Sequence, residues 1–243
     1  MSVWAATMWG GLAAASLLIG AALELRLTLS NRLIGAVMGF GAGTLISSIA
    51  YELVPESKVG GTGHLTILAF ATGALVFFAA DWVIDHAGGA MRKSIGGEEK
   101  GTGTAIFLGT LLDGVPESLV LGLGLATGGS ISIAFLSAVF ISNAPEGIAG
   151  TRALIASGHS GRRVFGMWFA LVFASAAAAA AGYAIVQSVP TADGLYARAF
   201  AAGAVLTMLS DVMMPEAFEH GGKLVGLLTT LGFLTAGVLS VAE

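Results

Sequence analysis

The stretch TAIFLGTLLDGVPESLVLGLGLA (Thr104–Ala126) decides how this chain is read. It is long enough to cross a bilayer, which takes about 20 residues, and it is apolar except where Asp113 and Glu117 interrupt it. A second apolar run follows at once, ISIAFLSAVFISNAPEGIAGTRALI (131–155), and it too carries a Pro-Glu pair at its middle. Working outward, further apolar runs fall near 3–25, 33–54, 64–86, 164–187, 196–218 and 222–241. The weakest division is between the last two, where Glu219-His220-Gly221-Gly222-Lys223 leaves a very short turn. The first run has no basic residue before it, and Arg26 and Arg32 follow it, so it is read as a span and not as a signal peptide.

Composition agrees with eight spans. Charged residues make up 11% of the 243 and hydrophobic ones 56%, whereas a soluble domain carries roughly 25% charge. Such a chain lacks the charge to cover a surface in water. The 36 glycines suit close helix packing in a membrane. With no cysteine, there are no disulfides or thiolate ligands, and a bound metal must rely on oxygen, imidazole or thioether. A net charge of −4 offers no basic patch for nucleic acid. The longest polar stretch, Gly88–Gly103, is only a loop, so one transmembrane domain over 1–243 is expected.

Lysine and arginine set the orientation. Arg26, Arg32, Arg92, Lys93, Lys100, Arg152, Arg162, Arg163 and Lys223 fall on one side of this layout; Lys58 and Arg198 fall on the other. The expectation is an integral protein of the plasma or inner membrane, with both termini outside and the 88–103 loop in the cytoplasm.

Four of the five prolines belong to Pro-Glu pairs: Pro55-Glu56, Pro116-Glu117, Pro145-Glu146 and Pro215-Glu216. Two pairs end spans in matching contexts, GTLISSIAYELVPE (43–56) and GAVLTMLSDVMMPE (203–216). The spans that carry them run in opposite directions, as an inverted-topology repeat requires. The other two pairs sit mid-span in neighbours, LLDGVPES (111–118) and FISNAPEG (140–147). Asp113 and Glu117 share a helix face, as do Ser142 and Glu146, with Asn143 one position off. Each carboxylate at mid-bilayer costs about 3 kcal/mol on insertion scales. No Lys or Arg lies within either mid-span stretch, so bound cations or protons must neutralise them. Pro116 and Pro145 each remove a helix hydrogen bond from the carbonyl one turn earlier, on Leu112 and Ile141. Such carbonyls in a broken helix, beside carboxylate and amide oxygens, are expected to offer a cation site. Kinked helices with protonated carboxylates are the plain alternative.

These residues resemble those of the ZIP (Zrt/Irt-like) metal transporters. The likeness rests on two adjacent spans with His-Asn-x-Pro-Glu-Gly-like motifs, the end motif ELVPES, eight spans and a loop after the third. It covers essentially the whole chain. The resemblance implies an all-α polytopic fold with helices arranged three, two, three. It also implies a metal site between the fourth and fifth spans, built from Asp113, Gly114 and Glu117 with Ser142, Asn143 and Glu146. The cargo it implies is a divalent ion (Zn, Mn, Fe or Cd) moved into the cytoplasm, with no organic cofactor. The partners are that ion and the lipid bilayer, with a homodimer left open. Asp113 stands where the family's usual fourth-span His would be, Gly114 where its Asn would be, and Ser142 at the fifth-span His. No acidic residue lies in the sixth span, so a second adjoining metal would be poorly held. An all-oxygen site is harder than one with imidazole and favours Mn²⁺, Fe²⁺ or Mg²⁺ relative to Zn²⁺, which remains open.

The four histidines, His64, His86, His159 and His220, lie near expected span ends and read as solvated, or as a low-affinity relay for departing metal with Asp85 and Glu219. Glu52 and Glu56, with Asp211 and Glu216, would mark the two vestibules. Asp81 and Asp85 share a face of the third span and read as partners of nearby arginines or as part of an exit path. Met208, Met213 and Met214 read as packing. Gly35, Gly39 and Gly43 form a close-packing face, and the alanines of 176–181 allow a similar approach. An intramembrane aspartyl protease would want Gly-x-Gly-Asp, which is absent, so no enzyme is expected. A carboxylate-lined proton or monovalent-cation channel is the remaining alternative.

Overall fold

The computed structural model describes residues 2–27, 29–53, 63–89, 95, 103–128, 131–188 and 194–242. All regular structure among them is helical. Eight helices are long and apolar enough to span a membrane: α1 Val3–Arg26, α2 Asn31–Leu53, α3 Gly63–Gly88, α4 Gly103–Thr127, α5 Ile133–Ala156, α6 Gly161–Ser188, α7 Leu195–Gly221 and α8 Leu224–Ala242. These are the helices of a polytopic all-α integral membrane protein. Each expected span appears within a few residues of its expected ends. The Pro55-Glu56 pair, Lys58 and most of the 88–103 loop lie outside the described residues.

Local chemistry sets the ends. Ser2, Ser30 and Ser132 cap α1, α2 and α5, each accepting a hydrogen bond from the amide three residues on. Gly222, at φ 66°, ends α7, and its N–H donates to the Phe218 carbonyl at 3.0 Å. That left-handed residue makes the short turn between α7 and α8 feasible.

The packing carries the inverted repeat. α1 lies between α5 and α6, and α6 packs on α4; α8 packs on α2, α2 on α7, and α7 on α3. Pairing α1 with α6, α2 with α7, α3 with α8 and α4 with α5 exchanges the α1–α5 contact with α6–α4 and the α2–α8 contact with α7–α3, and maps α1–α6 and α2–α7 onto themselves. Glycines mark the same correspondence. A Cβ on Gly43 of α2 would fall 2.0 Å from the Thr229 carbonyl oxygen of α8, and one on Gly203 of α7 2.0 Å from the Phe70 carbonyl oxygen of α3. Gly20 of α1 meets Ala144 and Ile148 of α5, while Gly182 of α6 meets Leu119 of α4. Gly35, Gly39 and Gly43 do form a contact face, against Gly221, Val225 and Thr229. Ala176 and Ala179 are likewise pressed close to Gly10.

The repeat extends to backbone irregularity. A π-turn over Ile49–Leu53 begins six residues after Gly43, and one over Leu209–Met213 begins six residues after Gly203. A proline ring clashes with the carbonyl four residues earlier. For Pro215 that carbonyl belongs to Asp211, inside the widened turn, which relieves the clash. The expectation of helices broken at Pro116 and Pro145 is corrected here: α4 and α5 run through both prolines as α-helix. In α5 the reason is enclosure, because Gly20 sits against Ala144 and Ile148, and Gly147 against Leu17. The helix has no room to splay.

Two polar clasps lie at opposite ends of the bundle. At one, Arg152 of α5 donates to both Glu24 oxygens of α1, Nε at 2.7 Å and Nη2 at 2.9 Å. The same guanidinium donates to Asn31 Oδ1 and to the carbonyls of Leu29 and Ile95. Ile95 is wholly buried, and its N–H donates to the Glu216 carboxylate of α7. At the other end, Ser240 of α8 donates to Glu52 of α2 at 2.8 Å. The Arg198 guanidinium, buried at the start of α7, lies in the attractive field of the same Glu52 carboxylate.

Candidate metal centre

Asp113, Gly114 and Glu117 are carried by the middle of α4, and Ser142, Asn143 and Glu146 by the middle of α5. Apart from Gly114, all are buried: Asp113 and Glu117 are 1% exposed, Ser142 0%, Asn143 4% and Glu146 3%. Asp113 Oδ1 and both Glu117 carboxylate oxygens are shut off from solvent entirely. These groups are therefore out of contact with solvent in this conformation. Three carboxylates in so apolar a setting cost on the order of 9 kcal/mol if charged and uncompensated.

Neighbouring helices orient the α5 set. Asn143 Nδ2 donates to the Ala13 carbonyl of α1 at 3.3 Å, which makes its amide oxygen the end available to a cation. Ser142 Oγ donates to the Val139 carbonyl at 3.0 Å, so its hydroxyl offers lone pairs and no proton. Its backbone touches α2, where a Cβ on Gly41 would meet Ser142 Cα at 3.0 Å. Ser175 of α6, a buried hydroxyl, faces Gly114, with Oγ 3.6 Å from where a Gly114 Cβ would stand. The sixth span carries this serine but no acidic residue, so no charge in the sequence marks it.

The six positions lie mid-helix on two adjacent helices, but the carboxylates do not converge as a trio. Among the described residues, the carboxylate and imidazole group whose ligand atoms all lie within 4.8 Å of one another is Glu216, Glu219 and His220, at the end of α7. There His220 Nδ1 stands 3.3 Å from Glu216 Oε1. The spacing Glu-x-x-Glu-His on one helical turn was legible, and Glu219 with His220 was expected as part of a relay; Glu216 completes the cluster. The physical reason for the looser central set lies in the packing. α4 and α5 each pack more heavily on α6 and α1 than on each other.

Other sequence candidates separate by environment. Met208 and Met213 are buried in the apolar core, as packing residues should be. His86 is exposed, its ring tilted at 44° against Trp82 with 4.1 Å between ring centres, and His64 is exposed as well. His159 contacts Ser157 Oγ at 3.2 Å. Asp81 is buried in α3 and Asp85 half-buried beyond it. The Glu24–Arg152 clasp escaped the sequence reading, which counted Arg152 only toward orientation. Opposite charges at the ends of two spans were its one signal.

No protein-family model matches the chain, and no curated protein matches it.

Proposed function

We propose that this protein is a divalent metal-ion carrier of the ZIP type, moving its cargo into the cytoplasm past the α4–α5 pair. The observation that carries this reading is the burial of Asp113, Glu117 and Glu146 at mid-span, at 1–3% exposure. Neither α4 nor the membrane part of α5 supplies a Lys or Arg there. Arg152, the nearest basic residue along α5, is committed to Glu24. A divalent cation neutralises two of the three carboxylates at once and takes oxygen ligands readily. In this reading Asp113, Glu117 and Glu146 bind, Asn143 and Ser142 contribute neutral oxygens, and Glu216, Glu219 and His220 receive the ion on its way out. The arginine and lysine asymmetry favours an orientation with both termini outside, and inward movement is what the resemblance implies.

Uptake by proteoliposomes tests the reading. Mn²⁺, Fe²⁺, Zn²⁺, Cd²⁺ and Mg²⁺ are offered singly, with internal pH followed in parallel. At least one metal should enter in proportion to protein and fail to enter with Glu117→Gln. Proton leak without uptake of any metal would replace the carrier by a proton channel.

A further inference from the structure

The inverted repeat is not symmetric where its halves meet. On one side α2 rests directly on α5, with Gly41 against the Ser142 backbone. On the matching side α7 meets α4 less extensively, and a cavity of about 370 Å³ lies between α3, α4, α6 and α7. Its floor includes Phe77 of α3 with Ala201 and Ala204 of α7, all buried. Its α4 wall is Leu112, Pro116 and Leu119, on the helix that bears Asp113 and Glu117. Val76, Ile185 and Phe200 also line it and are exposed at the apolar surface. The cavity is thus a slot that opens from the bundle interior to the face turned toward the bilayer.

Every side chain lining the slot is apolar. A volume this size exceeds the roughly 30 Å³ share of a liquid water many times over, yet each buried water needs about two to four polar partners. These walls do not provide them. Left empty, the slot would forfeit dispersion contacts along all four helices. The medium at its mouth is hydrocarbon, continuous with the surface that α3 and α6 already present to lipid. We propose that the slot is a binding site for one acyl chain of a bilayer phospholipid, lying between α7 and α4 beside the carboxylate-bearing turn. The chain fills the space that on the matching side is taken by direct helix contact. This site does not depend on what the carboxylates bind.

Photolabelling tests it on the full chain. The protein is placed in phosphatidylcholine vesicles containing a phosphatidylcholine with a mid-chain diazirine, irradiated and mapped by peptide mass spectrometry. Adducts are expected on the buried floor residues Phe77, Ala201 or Ala204 as well as on the exposed Leu75 and Phe78. Ala204→Leu, which narrows the slot, should lower floor adducts several-fold and leave Leu75 and Phe78 labelled as before. Glu117→Gln should label like the natural protein. Labelling of Leu75 and Phe78 with no adduct on the floor in the natural protein would overturn the proposal without any variant. Floor protection together with disulfide formation between two copies carrying Val76→Cys would also overturn it and assign the slot to a second copy of the chain.

Discussion

α4 and α5 each carry a Pro-Glu pair at mid-helix and are mates in the inverted repeat, yet their surroundings differ. α5 is clamped. α1 closes on it on both sides of Pro145, α2 touches it at Ser142, Asn143 is tied to Ala13, and Arg152 anchors its end. α4 packs most closely on α6, where Gly182 of α6 meets Leu119 and Gly122 meets the Ala179 carbonyl, and less extensively on its other neighbours. Its other side borders the apolar slot. A Cβ on Gly124 would meet nothing within 4 Å. The difference teaches that repeat symmetry in sequence does not fix equal environments. In one conformation, one motif-bearing helix is closely confined and its mate has more room. A carrier needs both properties, a defined site and an element able to move.

The severest way to break the comparison is through the carboxylates, because the two helices should be equal in chemistry despite unequal packing. Glu117→Ala and Glu146→Ala are each expected to abolish metal uptake in proteoliposomes. Both should still insert and purify, since removing a buried carboxylate lowers the cost of insertion. Thr235→Ala, on the exposed face of α8, should transport normally. Uptake surviving in either glutamate variant would leave that helix without a ligand role.

Packing should then separate the two helices. A Cβ on Gly147 of α5 would stand 2.4 Å from the Leu17 carbonyl oxygen. Gly147→Val is therefore expected to destabilise by about 3 kcal/mol, at the upper end for overpacking. Gly124→Ala in α4 meets no neighbour and should stabilise by up to about 1 kcal/mol through helix propensity. Thermal unfolding in detergent reads both. Equal losses would mean that α4 is as confined as α5.

The clasp at the end of α5 gives a smaller effect of the same kind. Arg152 and Glu24 are mostly buried, with side-chain exposures of 19% and 14%. Arg152→Ala leaves the Glu24 carboxylate and the Ile95 carbonyl without that donor. A loss of about 1–3 kcal/mol is expected, between the values for exposed and fully buried pairs. Ile95 also donates to Glu216, so protection of the Ile95 amide from hydrogen exchange should fall in the same variant. Unchanged exchange would show that Arg152 does not hold this loop residue.

The fold was legible because each span is a long apolar run and because glycines and prolines recur at fixed offsets. Gly43 and Gly203 both proved to be points of backbone contact, with a wide turn beginning six residues after each. The candidate site was legible as residue types, since buried carboxylates in an apolar span are costly. What sequence did not show is what depends on neighbours. Proline chemistry predicted breaks at Pro116 and Pro145, but helix continuity there is decided by flanking helices. The slot lies where α7 meets α4 less extensively than its mate α2 meets α5, and no local pattern records that difference. Ser175 was invisible because a lone serine on a small-residue helix looks like packing.

The smallest expected effect concerns selectivity, and it uses the roomier helix. Replacing an imidazole by a carboxylate at position 113 hardens the site, since imidazole suits Zn²⁺ and carboxylates suit Mn²⁺ and Mg²⁺. Asp113→His with Gly114→Asn would supply the nitrogen and amide that the resemblance puts at these positions. The first atom of the second change has space: a Cβ on Gly114 would meet only Ser175 Oγ, at an ordinary contact distance of 3.6 Å. At Ser142 on α5 the same exchange to His would press against the α2 contact at Gly41, so α4 is where the test is clean. Glu117 and Glu146 remain in both versions and supply most of the charge, which keeps the change modest. A rise of on the order of tenfold in the Zn²⁺-to-Mn²⁺ affinity ratio, about 1.4 kcal/mol, is expected. Equilibrium competition in detergent is the measurement, because uptake rates also reflect helix movement. A ratio that stays level or falls would remove position 113 from the metal's ligands and leave Glu117 as the contribution of α4.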